Sequence, residues 1–126
     1  MSSAQSPLRR TRNLGASHSG TGHFWRERIT AAALVPLSLW FLYAVLGLAG
    51  TNVVTALRFL ALPWNALLMA AFVLTALYHA ALGLQVVIDD YVHTAGSKIL
   101  LFLLVRISVI AAGSVSLFAL LRIAAF

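Results

Sequence analysis

The sequence predicts an all-α integral membrane protein with three membrane-spanning helices. Of its 126 residues, 61% are hydrophobic and only 10% are charged, and the mean hydropathy is +0.93. A soluble domain carries about 25% charged residues, so this composition excludes an ordinary soluble globule. Three apolar stretches each exceed the roughly 20 residues that cross a bilayer as a helix. In lipid the backbone of each must satisfy its own hydrogen bonds, which only a helix achieves within a single stretch.

The apolar stretches run from about 29 to 50, from about 64 to 88 and from about 98 to 125. Pro63 opens the second stretch, at a position where a helix tolerates proline. The connector 51–62 is amphipathic enough to lie in the membrane interface. We therefore divide the chain into an N-terminal segment, 1–28, and a transmembrane domain, 29–126.

The basic residues predict the orientation, because short cytoplasmic loops are enriched in Lys and Arg. Six basic residues lie on the side of the membrane that holds the N-terminus and the connector between the second and third stretches: Arg9, Arg10, Arg12, Arg26, Arg28 and Lys98. Only Arg58 and Arg122 lie at the other end. The N-terminus and segment 1–28 are therefore predicted to be inside. Since the basic residues cluster beside apolar stretches, we expect membrane lipid and no nucleic acid as a partner.

The residue types also exclude several cofactors. There is no cysteine, so this chain can supply neither a disulfide nor thiolate ligands for an iron–sulfur cluster. It has no G-x-G-x-x-G or P-loop pattern for a flavin, a nicotinamide or a nucleotide. If the protein takes part in electron transfer, the electron donor must lie on a partner.

His79 lies in the middle of the second apolar stretch and is the main functional candidate. It precedes Asp90 by eleven residues, about 16 Å along a helix. If the aspartates mark the water interface, His79 lies near the middle of the hydrocarbon core, where an ionisable group indicates function. A neutral imidazole suits haem iron. A hydrogen bond to a neighbouring helix and a proton-relay or substrate site are the alternatives.

Other polar residues have both a functional and an ordinary interpretation. Asp89, Asp90 and Tyr91 combine carboxylates with a phenol that could serve a quinone, but tyrosine also anchors helices at the interface. Arg28 suits carboxylates such as haem propionates and is equally typical of a positive-inside anchor. Arg106, well inside the third stretch, must snorkel, pair or face a partner.

Two segments together resemble a known family. HAALGLQVVIDDYVH at 79–93 and GHFWRERITA at 22–31 are similar to the signature of the succinate dehydrogenase hydrophobic membrane anchor family in alphaproteobacteria. The resemblance covers about Gly15 to the end. It implies a multi-pass protein of the bacterial inner membrane that packs with a second three-helix subunit. It also implies a component of succinate:ubiquinone oxidoreductase, respiratory complex II, that is not catalytic alone.

The resemblance further implies a role for each candidate residue. His79 would be an axial ligand of haem b, whose other ligand belongs to the cytochrome b556 subunit. Tyr91 would bind a ubiquinone carbonyl, and the neighbouring Asp90 would be part of a proton route to the quinone. Arg28 would lie near the haem propionates. The flavoprotein and iron–sulfur subunits would deliver electrons from succinate. Arg106 and the doubling of the aspartate depart from the family pattern.

Two other functions are compatible with the sequence. A fumarate reductase anchor would serve the opposite direction of electron flow, generally with a low-potential quinone. A small transporter or assembly factor would use His79 and Arg106 to move protons or to bind a partner. A b-type haem spectrum in the purified complex separates the respiratory anchors from the transporter or assembly factor.

Overall fold

Three long helices and one short helix make up the described chain. The computed structural model describes residues 18–125, with side chains from residue 21 onward. The helices are α1 (His18–Leu48), α2 (Val53–Ala61), α3 (Pro63–Tyr91) and α4 (Ala95–Ala125). α1, α3 and α4 are each long and apolar enough to cross a membrane. The predicted all-α fold with three spanning helices is confirmed, whereas the N-terminus-inside orientation and the packing with a second subunit stay predictions.

α1 begins earlier than the apolar stretch that predicted it. It starts at His18, before the predicted start at residue 29, because hydropathy marks only the apolar part of a helix. The segment 22–28 carries Arg and Glu, which are good helix formers, and it contains no proline. Residues 1–17, most of the predicted cytoplasmic segment, lie outside the described residues, as do the arginines among them that entered the orientation argument.

The predicted amphipathic connector forms the short helix α2. Asn52 caps its N-terminus by accepting a hydrogen bond from the backbone N–H of Thr55 at 2.9 Å, as N-cap residues commonly do. α2 ends before Leu62, where the backbone is extended, because the residue before a proline disfavours the helical conformation. The side chain of Asn65 donates to the carbonyl of Phe59 at 3.0 Å, which ties the end of α2 to α3.

α3 is the central helix, since it packs extensively against both α1 and α4. Phe41 of α1 stacks on Phe72 of α3, with ring centroids 4.6 Å apart. Thr30, which precedes Phe41 in α1, contacts His79, which follows Phe72 in α3. The two helices are antiparallel. α4 likewise runs antiparallel to α3, so the N-terminal end of α1 shares one end of the bundle with the loop between α3 and α4.

The subunit buries few of its own side chains. The buried apolar residues of the described range are Ala44, Leu82, Ile88 and Leu120. No side chain in that range is fully enclosed, and large apolar side chains along all four helices are exposed. Extended exposed apolar surface marks contact with a membrane or with protein partners. The surface of these helices is thus suited to contact with lipid or with protein partners.

The crossing of α3 and α4 depends on Gly113. A Cβ at this position would lie 3.5 Å from Cδ2 of Leu74 and 3.7 Å from Cδ1 of Leu77, which is ordinary contact. Small residues of this kind let membrane helices approach closely. Alanine therefore fits at residue 113, but a longer side chain does not.

We predict that Gly113→Leu destabilises the protein by about 1–3 kcal/mol, because the added methylenes overpack the contact between the two helices. Thermal denaturation of the detergent-solubilised protein measures the loss. Gly96→Leu in the same helix is the control, since a Cβ there meets no atom within 4 Å. Equal effects of the two substitutions would contradict this account of the crossing.

Candidate functional site

His79 of α3 makes one polar contact across the bundle, to α1. Its Nδ1 lies 2.8 Å from Oγ1 of Thr30. The Thr30 hydroxyl also lies 2.7 Å from the backbone carbonyl oxygen of Arg26 and 3.1 Å from that of Glu27, one turn earlier in α1. His79 and Thr30 are both half-buried. Threonine in a helix commonly makes this kind of bond to its own preceding turn.

The other ring nitrogen of His79 has no hydrogen-bond partner among the described residues. It is also not among the buried polar atoms that lack a partner, so it reaches the surface of the subunit. Nε2 of a neutral imidazole can ligate a metal. The described chain contains no group of three or more potential metal-binding side chains, so a metal held here would take its remaining ligands from elsewhere.

Small residues leave room beside the imidazole. Ala76, Ala80 and Gly83 lie within one turn of His79, on the same or an adjacent face of α3. A Cβ on Gly83 would meet no atom within 4 Å, and both Ala80 and Gly83 are exposed. The surface of α3 beside the ring is therefore open at Ala80 and Gly83.

Arg28 lies at nearly the same level of the bundle as His79. It precedes Thr30, the partner of His79, by two residues, about 3 Å along the helix axis. Its guanidinium lies 4.9 Å from the ring centroid of Phe24, a favourable cation–π arrangement. Along the helix axis, Arg28 thus lies within one turn of the level of the imidazole.

The end of α3 carries the other predicted site residues. Asp89 pairs with Lys98 of α4, with Nζ and Oδ1 3.4 Å apart. Asp90 has no such partner among the described residues and is exposed. Tyr91 is 78% exposed. A carboxylate near a helix C-terminus is unfavourable because of the helix dipole, so Lys98 offsets the charge of Asp89 while that of Asp90 is left uncompensated.

The structure does not bring all predicted site residues together. His79 and Arg28 lie at one level of the bundle, and Asp90 and Tyr91 at another. Tyr91 follows His79 by twelve residues along one helix, about 18 Å. The predicted residues therefore form two separate groups, one in the body of the bundle and one at its end.

Arg106 lies in a groove between α3 and α4. The groove has a volume of about 550 Å³ and is mostly apolar, and its polar lining comes from Arg26, Tyr78, Gln85 and Arg106. No Asp or Glu lines it, and Arg106 makes no ion pair within the described chain. Arg106 is therefore not paired with an acidic group of the described chain, which was one of the possibilities that the sequence allowed.

Thr30 is the residue that sequence reasoning missed. The residue stands in the family-like segment 22–31, but no local signal links it to His79, since 49 residues separate the two in the chain. A threonine within a spanning helix, near the depth of an intramembrane histidine, is the only hint that the sequence offers.

Comparison with known proteins identifies the family. The family described as succinate dehydrogenase/fumarate reductase transmembrane subunit matches residues 2–113. The chain belongs to this family. It is 42% identical over 83 residues to the succinate dehydrogenase hydrophobic membrane anchor subunit of Rickettsia bellii, covering 66% of each chain. It is 33% identical to that of Paracoccus denitrificans over 68% of this chain and 66% of the relative, and 32% identical to that of Rickettsia felis over 88% and 84%.

The predicted resemblance to the succinate dehydrogenase membrane anchor is thus confirmed, including its mostly alphaproteobacterial relatives. The match to Rickettsia bellii and that to Paracoccus denitrificans each span about two-thirds of the relative's length. No solved structure matches the chain. With three spanning helices and bacterial membrane anchors as relatives, the chain is a multi-pass protein of the inner membrane. Membership of this family favours a respiratory anchor over a transporter or assembly factor.

Proposed function

We propose that this member of the family anchors a succinate:ubiquinone oxidoreductase and helps to bind haem b and ubiquinone. One observation supports the haem site above all others. A half-buried imidazole in an apolar helix has one nitrogen held by Thr30 and the other unclaimed, beside the open space at Gly83. An imidazole at this depth is expensive to maintain, and ligation of iron offsets that cost.

The residues around His79 fit a haem. His79 would ligate the iron through Nε2, and Ala76, Ala80 and Gly83 would admit the flat macrocycle. Arg28 lies at nearly the same level, although about 200° around α1 from Thr30, and we propose its guanidinium for the propionates because it pairs well with carboxylates. When bound, haem b supplies a centre that takes up and releases one electron. The work of this chain is to hold and orient it and to compensate its negative charge.

The remaining parts of the complex would come from partners. This chain would supply one imidazole to the iron, and we propose that the cytochrome b556 subunit would supply the other protein ligand. The chain has no cysteine and no flavin-binding pattern, so the flavoprotein and iron–sulfur subunits would oxidise succinate and carry the electrons. The exposed apolar surface of the helices would contact the second membrane subunit and lipid.

The end of α3 would contribute to the ubiquinone site. The phenol of Tyr91 is exposed and would donate a hydrogen bond to a quinone carbonyl. Reduction of ubiquinone to ubiquinol takes two electrons, from the iron–sulfur subunit, and two protons, from water at the membrane surface. Asp90 would pass protons toward the quinone, since its carboxylate has no partner in the described chain. Asp89, paired with Lys98, would serve structure only.

A fumarate reductase anchor is the second candidate, because the family description covers both enzymes. The relatives named above are all called succinate dehydrogenase subunits, which favours the first. Purified complex assayed in both directions decides. We expect ubiquinone-linked succinate oxidation to exceed quinol-linked fumarate reduction, and the reverse ratio would favour the alternative.

For the haem site, we predict that His79→Leu removes the b-type absorption band from the purified complex, because no other described side chain near Thr30 replaces the ligand. Haem per complex is measured by the pyridine haemochrome spectrum. His93→Leu is the control, since His93 is exposed beyond the end of α3 and should leave the band intact. An unchanged band after loss of His79 would refute the ligand assignment.

For the quinone site, Tyr91→Phe should slow succinate-linked ubiquinone reduction about fivefold, since one hydrogen bond to the quinone is worth about 1 kcal/mol. Succinate oxidation by an artificial acceptor, which draws electrons before the quinone, should be retained. Equal loss of both activities would indicate failed assembly instead of a quinone contact.

The two aspartates should differ in the same assay. Asp90→Asn removes the unpaired carboxylate and should lower ubiquinone reduction about tenfold or more, as expected for a group that transfers protons. Asp89→Asn breaks only a partly exposed ion pair, and such pairs contribute little, so the rate should stay near that of the unmodified complex. The opposite ranking would assign the proton route to Asp89.

A further inference from the structure

We infer that Thr30 is a positioning residue for His79: it fixes the ring with the proton on Nδ1 and leaves Nε2 free for iron. The inference rests on the proposed ligation of haem by His79 and goes beyond it, because it assigns a role to a residue of another helix. The contact that carries it is the 2.8 Å approach of Thr30 Oγ1 to His79 Nδ1.

A count of protons decides which group donates. A threonine hydroxyl has one proton, and a backbone carbonyl can only accept. Oγ1 of Thr30 lies 2.7 Å and 3.1 Å from the carbonyl oxygens of Arg26 and Glu27, so its proton points to them. Toward the imidazole the hydroxyl oxygen is then an acceptor, and Nδ1 must carry the proton and donate. In the neutral ring that leaves the lone pair on Nε2.

The opposite arrangement is disfavoured by the same distances. If the Thr30 hydroxyl donated to Nδ1, its oxygen would face two carbonyl oxygens without a proton between them. The carbonyls of Arg26 and Glu27 belong to the backbone of α1 and cannot move away independently. The preceding turn of α1 therefore selects the tautomer of a histidine on α3. Threonine is well suited to this, because in a helix its χ1 settles in the rotamers that bond the preceding turn.

The same bond tunes the ligand as well as orienting it. When one ring nitrogen of a histidine ligates a metal, a hydrogen-bond acceptor at the other nitrogen makes the imidazole more basic and fixes the orientation of the ring. A hydroxyl oxygen is a neutral acceptor, so its effect is weaker than that of a carboxylate. Removing it would make the imidazole a poorer donor to ferric iron and raise the reduction potential of the haem, since hydrogen bonds to axial ligands are one of the protein's means of setting that potential.

The test compares variants of the whole purified complex by two readouts other than turnover. Thr30→Val keeps the shape of the side chain and removes the hydroxyl. We expect it to weaken haem retention about 10- to 100-fold, the usual effect of losing such a partner, and to raise the midpoint potential in a redox titration of the haem band. Thr30→Ser keeps the hydroxyl and should restore both properties.

Thr51→Val is the matched control. Its hydroxyl also donates to a carbonyl of α1, that of Leu48, at 2.7 Å, but it meets no imidazole, so neither readout should change. If Thr30→Val does not assemble, Thr30→Ala against Thr30→Ser provides the same comparison. The inference would be overturned if the haem midpoint potential did not change in the variant that lacks the hydroxyl. It would also be overturned if the potential changed by the same amount in Thr30→Ser.

His79→Leu separates this inference from the function on which it rests. Loss of haem with His79→Leu together with no effect of Thr30→Val refutes the role of Thr30 and leaves haem ligation standing. An unchanged haem band in His79→Leu refutes the ligation itself, and the role of Thr30 with it.

Discussion

The hydrogen bond between Thr30 and His79 is the polar contact on which the arrangement of α1 against α3 depends. Apolar side chains select a register only weakly in a membrane, because lipid tails solvate them as well as a neighbouring helix does. An imidazole N–H left without an acceptor in hydrocarbon costs several times more than a lost apolar contact. The register of α1 is therefore set where these polar atoms meet, 2.8 Å apart.

This register explains the positions of the charged residues in α1. Because Thr30 lies at the level of His79, Arg26 and Arg28 lie within about one turn of that level. Two residues along a helix correspond to a rotation of about 200°, so the two arginines project to different sides of α1. Arg26 lines the groove between α3 and α4, and Arg28 faces Phe24. One short segment thus supplies positive charge to two sides of the bundle.

The sequence predicted the three spanning helices because crossing a bilayer requires only local composition and length. It placed the start of α1 too late, since hydropathy detects the apolar part of a helix and not its polar extension to His18. His79 was predictable because an ionisable residue in an apolar stretch is conspicuous. Its partner Thr30 was not, because that pairing depends on a register between distant segments. The sequence likewise could not separate Asp89 from Asp90, since the difference is a contact with Lys98 across a loop.

The small core has a functional consequence. Within the described range, α1 and α4 each pack against α3 and make few contacts with one another, so the three long helices are arranged with α3 in the middle and bury little apolar surface. Under the proposed function a partner completes the haem site, which agrees with an imidazole that has one nitrogen held within this chain and the other reaching its surface. The affinity and potential of the proposed haem would then depend on contacts from this chain and from its partner. The orientation of the imidazole, by contrast, is already fixed within this chain.

α3 holds both groups of site residues and sets the distance between them. His79 and Tyr91 are about 18 Å apart along one helix, and α3 contains no proline after Pro63 at its start. Sites placed on a continuous helix keep their separation more precisely than sites on loops. The two groups also differ in exposure, because His79 is half-buried while Tyr91 is open at the end of the bundle. Under the proposed function, the half-buried position suits a cofactor that stays bound, and the open position suits a quinone that must arrive and leave.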